Sequence, residues 1–170
     1  MNGVDWLNTL APEQAEAEFL KCCGAKNWAR RMVDQRPFFD LPDLLEKADV
    51  TWASLTAADW LDAFRSHPRI GEKKAEQTQS AVASTWSEME QAGTRDAAYE
   101  TMAALAVGNR EYAERFGYIF IVCATGRSSE EMLAILRKRL HNAPEDELRV
   151  AAEEQRKITQ LRLQRLLAHA

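Results

Sequence analysis

At 170 residues, 46% hydrophobic and 28% charged, the chain is long enough to bury one proper core and too ordinary in composition to be disordered. Its net charge of −4, with no block of lysines and arginines, argues against a dedicated nucleic-acid binder, which needs a basic footprint to neutralise phosphates.

The pattern is helical almost throughout. "APEQAEAEFLKCCG" begins with Pro12 in its first turn and ends at Gly24, the usual asymmetry of helix ends. "NWARRMVDQRPF" opens at a possible cap, Asn27, and must stop before Pro37, because the residue ahead of a proline avoids the α conformation. "LPDLLEKADV" reads as a third helix. "TAADWLDAFRSHP" carries a cap-like pair, Thr56 and Asp59, and is closed by Pro68, so it should end near Ser66. Two longer runs follow, from about Lys74 to Ala92 and from Thr94 to about Arg115, broken at Gly93 and Gly117. "YIFIVCATG" is short, apolar and β-like, and Gly126 ends it. Ser128 or Ser129 can cap "EEMLAILRKRLHN", and Pro144 opens the last helix.

A single extended segment cannot build a sheet, so it is expected to be a buried connector whose backbone groups find other partners. The predicted fold is all-α, a single-domain bundle of about seven to nine helices over residues 1–170 with one short extended connector. No segment approaches the ~20 apolar residues of a membrane span. "MNGVDWLNTL" reads as no signal peptide, and "LLAHA" as no peroxisomal SKL-type address. A soluble, cytoplasmic protein is expected. Cys22, Cys23 and Cys123 suit neither a disulfide framework nor a zinc site, and read as buried reduced thiols.

Four places could carry chemistry. His67 precedes Pro68 at a rigid turn, and histidine is the side chain that titrates near neutrality; a histidine at a helix C-terminus, favoured by the helix dipole, explains it as well. In "STWSEMEQAG", Glu90 continues the Val82–Trp86 stripe, and Ser87, Glu90 and Gln91 share a face. That cluster could hold a polar ligand, or Glu90 could simply border the stripe and reach water. In "KITQLRLQRLL", Arg162 lies between Ile158 and Leu166 at four-residue spacing. A guanidinium on an apolar face needs a carboxylate from the protein or a ligand, unless it snorkels to the surface. The stretch "FIVCATGRSSEE" could offer backbone amides to a small ligand, but it lacks the Gly-Lys-Ser/Thr of a P-loop.

No HExxH, helical histidine pair or GxSxG elbow is present, and no metal is assigned. A histidine, a glutamate, an arginine and neutral hydrogen-bonding groups suit proton transfer on a small anion without a cofactor.

The order "SHPRIGE", "SEMEQAG", "NREYAERFGYIFIVCATGRSSEEML" and "KRLHNAPEDELRVAAEEQRKITQLRL" resembles the decarboxylases of 2-oxo-4-hydroxy-4-carboxy-5-ureidoimidazoline (OHCU). The resemblance covers nearly the whole chain. It implies an all-helical, cofactor-free homodimer converting OHCU into (S)-allantoin and carbon dioxide in urate breakdown. By motif it implies His67, Glu90 and Arg162 as catalytic residues, and Pro68, Ser87, Gln91 and the Phe120, Ile121 and Val122 segment as substrate-binding. The competing expectation is a non-catalytic helical module that binds a purine-like or ureide ligand.

Overall fold

Proline and glycine punctuation sets several of the helix boundaries. The protein's computed structural model describes residues 3–67 and 99–170. These contain eight α-helices and no β-strand: α1 (Gly3–Thr9), α2 (Pro12–Cys22), α3 (Lys26–Asp34), α4 (Leu41–Ala53), α5 (Ala57–Phe64), α6 (Tyr99–Phe116), α7 (Ser129–Arg139) and α8 (Pro144–Ala168). The chain is all-α, as its periodicity predicts. It forms two compact units, Met1–Ala63 with Arg156–Ala170, and Phe64–Gln155.

In the first unit, α2 buries Ala15, Phe19 and Cys22, spaced four and three apart, so one apolar face is offered to the core. α3 buries Trp28, Ala29 and Met32, and α4 buries Leu44, Ala48 and Trp52. The Phe19 ring meets Trp28 and Phe38 edge-on, at 5.7 and 6.0 Å between centroids. The Trp28 indole N–H donates to the Ala48 carbonyl at 3.2 Å, so this large side chain enters the core with its one polar atom satisfied. Side chains cap α4 and α5. Asp40 accepts from the Asp43 amide at 2.9 Å ahead of α4, and Thr56 and Asp59 bond reciprocally at the start of α5. Burial would raise the Asp59 carboxyl, but hydrogen bonds from Asn27 and Thr56 outweigh it and hold the group below its usual range.

Several boundaries differ from the sequence reading. α1 was not expected; seven residues are too few to hold a helix by themselves. Its carbonyls are instead satisfied from elsewhere: Arg36 Nη1 donates to Leu7 O and Leu10 O at 3.0 and 2.7 Å, while Asn8 exchanges two 2.8 Å bonds with the Phe38 backbone. α2 ends at Cys22 instead of Gly24. The N-cap of α3 is Ala25, not Asn27. Asn27 donates to Asp59 Oδ1 at 2.7 Å, and the Lys26 amide is capped by Asp62 Oδ2 at 3.2 Å, so a neighbouring helix supplies the cap.

In the second unit, α6 and α7 pack through Leu105, Tyr112, Met132 and Leu136, joined by Phe120, Val122 and Ala124 from the connector between them. Ser128, not Ser129, caps α7, its hydroxyl accepting from the Glu131 amide at 3.1 Å. The connector has no regular secondary structure. It turns at both ends through glycines with positive φ, Gly117 at 83° and Gly126 at 79°, a conformation in which a Cβ is strained.

Candidate functional site

Phe120, Ile121 and Val122 are all buried, so the main chain between the two glycines must find partners in place of a helix or sheet. Side chains supply them. Arg139 Nη1 donates to the Ile121 carbonyl at 2.6 Å. The Cys123 amide donates to Glu154 Oε1 at 3.2 Å, and Arg127 Nε to the Cys123 carbonyl at 3.3 Å. The expected connector is present, and its backbone is held mainly by charged groups.

Arg139 is itself buried and paired. Its Nε lies 2.9 and 3.2 Å from the two Glu147 carboxylate oxygens, and Glu147 also accepts from Asn142 Nδ2 at 3.0 Å and from the Tyr112 hydroxyl through a short bond. The guanidinium lies over the Phe120 ring, 4.6 Å from its centroid, a favourable arrangement for a cation on an aromatic face. Burial, reinforced by the Glu147 carboxylate, pushes the Tyr112 phenol well above its usual range. Tyr112 therefore stays a donor to Glu147 at any physiological pH.

His67 belongs to the same unit. α5 stops at Phe64, two residues earlier than the sequence suggests, and the His67 amide closes the turn by donating to the Phe64 carbonyl at 3.2 Å. Phe64 is fully buried and its ring packs on Tyr118 at 5.2 Å, which anchors the turn next to the connector. The half-buried imidazole reaches α8, with Nε2 2.6 Å from Gln155 Oε1. An amide oxygen only accepts, so in this bond the imidazole Nε2 donates. Glu154, which holds the connector, and Gln155, which holds His67, are consecutive residues of one helix. One turn of α8 thus holds both His67 and the Cys123 amide at the end of the connector.

Arg162 lies in the first unit and is 2% exposed, as its place in an apolar stripe predicts. Its Nη1 donates to the Lys21 carbonyl at 3.5 Å. The guanidinium sits beside the Cys22 and Cys23 thiols. Burial raises both thiols, Cys22 strongly and Cys23 to about 11, against the opposing pull of Arg162. Both stay protonated and unreactive near neutrality. Cys22 and Cys23 are buried as expected, whereas Cys123 is only partly so. Pro68, Ser87, Glu90 and Gln91 lie outside the described residues.

The sequence reading missed Arg139, Glu147, Glu154 and Gln155. Their signal was available. Arg139 extends the Met132–Leu136 stripe by one turn, and Glu147, Ala151, Glu154, Gln155 and Ile158 continue the Arg162 stripe toward the start of α8, all of them buried. Polar residues on a buried stripe require internal partners.

The model of the OHCU decarboxylase family matches residues 8–164. The chain belongs to the OHCU decarboxylase family. One relative is the uric acid degradation bifunctional protein TTL of Arabidopsis thaliana, 34% identical over 94% of this chain, which spans about half (49%) of that protein. Another is the 2-oxo-4-hydroxy-4-carboxy-5-ureidoimidazoline decarboxylase of Amia calva, 34% identical over 78% of this chain and 75% of the relative. A crystal structure of OHCU decarboxylase in the presence of (S)-allantoin superposes with a TM-score of 0.76 at 33% identity, covering 89% of this chain and 97% of the other. No helix among the described residues is long and apolar enough to cross a membrane.

Proposed function

We propose that this chain decarboxylates OHCU to allantoin in urate breakdown, releasing carbon dioxide and protonating one face of the remaining carbon to give the S enantiomer. Membership of the OHCU decarboxylase family and the likeness to a structure obtained in the presence of (S)-allantoin support the substrate. The observation that carries the reading is His67, held 2.6 Å from Gln155 one residue from the side chain that holds the connector. In this reading the proton-transfer group and the main-chain amides of the connector act on one bound substrate.

Decarboxylation breaks the bond to the carboxylate and leaves its electron pair on the ring carbon, delocalised as an enolate-like anion. Donors fixed where that charge develops lower the barrier, and an acid on one side delivers the single proton that completes the product. In this reading His67 polarises the hydroxyl and carboxylate region of OHCU and handles the proton. Glu90 orients the imidazole or takes the hydroxyl proton, and Arg162 binds the ureido or carbonyl oxygens. Pro68 shapes the His67 turn. Ser87, Gln91 and the main chain of Phe120, Ile121 and Val122 hold the ring in one orientation, the source of a single enantiomer. Positioning of this kind is worth several kcal/mol. No cofactor is assigned, and the enzyme is read as a cytoplasmic homodimer over residues 1–170.

The test uses OHCU generated freshly from urate, with a chelator present, followed by circular dichroism at the allantoin band. The wild type should accelerate formation of optically active allantoin, and His67→Ala should reduce it to the uncatalysed, racemic background. Retained rate and optical purity in that variant would remove His67 from the chemistry. No acceleration by the wild type, with allantoin still bound, would leave a ureide-binding module.

A further inference from the structure

A buried arginine–glutamate pair is an expensive way to fill a core. Desolvation offsets most of the attraction, and apolar residues of similar volume are often as stable or more so. The Arg139–Glu147 pair, at 6% and 0% side-chain exposure, does something that apolar packing cannot: it holds a main-chain carbonyl. Arg139 divides its donors. Nε faces both Glu147 oxygens, Nη2 faces Glu147 and the Tyr112 hydroxyl, and Nη1 alone reaches Ile121 O, at 2.6 Å. Glu147 is saturated in turn by Tyr112 and Asn142, so the guanidinium plane is locked. The same plane covers the Phe120 ring. Two successive connector residues are therefore set by one side chain, one through its ring and one through its carbonyl.

We infer that Arg139, locked by Glu147, is a positioning residue that sets the Phe120–Val122 main chain for substrate by holding the Ile121 carbonyl. The inference rests on the proposed function, in which that main chain hydrogen-bonds the ring of OHCU. Arg139 acts at one remove, through the peptide groups it orients. A lysine keeps the charge but is a single point donor, and it cannot grip Glu147 with two bonds while reaching Ile121.

The experiment compares Arg139→Lys and Arg139→Met with Leu136→Ala, a cavity one turn earlier on α7 in the same core. Each is measured for thermal unfolding, for KM and kcat with fresh OHCU below its melting temperature, and for hydrogen exchange of the peptide covering residues 118–127. Losing the carbonyl anchor should raise KM about ten-fold in both Arg139 variants with kcat much less affected, the signature of lost binding. Exchange in the connector peptide should rise with it. Leu136→Ala should lower the melting temperature while leaving KM and connector exchange near wild type. If methionine prevents folding, the lysine variant carries the comparison.

An unchanged KM in Arg139→Lys, or an equal rise in Leu136→Ala, overturns the inference while leaving the decarboxylase reading intact. Failure of the wild type to act on OHCU overturns that reading instead. The exchange arm then decides alone: faster connector exchange confined to the Arg139 variants upholds Arg139 as the anchor, and equal exchange in all three overturns it.

Discussion

In the first unit two arginine–carboxylate pairs face water: Arg30 and Glu16 are 3.3 Å apart, and Arg156 and Asp49 are 3.4 Å apart with about a third of each side chain exposed. In the second unit Arg139 and Glu147 make the same chemical pair out of solvent, with shorter and more numerous bonds. The first unit is held by aromatic and aliphatic packing around Trp28 and Phe19, and its surface pairs add little to that. In the second unit a charged pair occupies core volume and supports an irregular main chain beside His67. A buried pair that returns little net stability is found where backbone without helix or sheet must be held in one place.

The sharpest way to break this contrast is Glu147→Ala. It leaves the buried Arg139 charge without its carboxylate and should cost about 3–5 kcal/mol in urea unfolding. A loss below 1 kcal/mol would mean that the guanidinium finds water and that the two kinds of pair are equivalent. The double variant Arg139→Met with Glu147→Leu sharpens the comparison. Removing both charges should recover at least about 2 kcal/mol of the single-variant loss, while KM for OHCU stays raised because Ile121 remains unanchored. Recovery of both stability and KM would reduce the pair to a filler. The smallest effect belongs to the first unit. Arg156→Ala should cost less than about 1 kcal/mol, and less still in high salt; a salt-independent loss of several times that size would place Arg156 among the core-forming residues.

Much of this was readable before folding was considered. Pro12, Pro144, the Thr56–Asp59 pair and the Ser128 cap mark their helices through interactions spanning three or four residues, which a sequence displays directly. The connector was legible as a short apolar run between glycines, and Arg162 as a cation on an apolar stripe. α1 and the start of α3 were not legible, because Arg36, Asn8, Asp59 and Asp62 complete them from other parts of the chain. His67 stands between the two cases. Its proline and its helix end are local, whereas Gln155 is 88 residues away.

By itself, then, the sequence determined where helices run, which polar residues lie on buried stripes, and, by its resemblance and its family, the reaction to look for. Only the tertiary structure decided who satisfies those polar groups. Buried donors and acceptors must be paired, but nothing local selects the partner when it lies 18 residues off, as from Arg139 to Ile121, or 31, as from Cys123 to Glu154. Packing makes that choice, because the partner is whichever group the folded core brings within hydrogen-bonding distance.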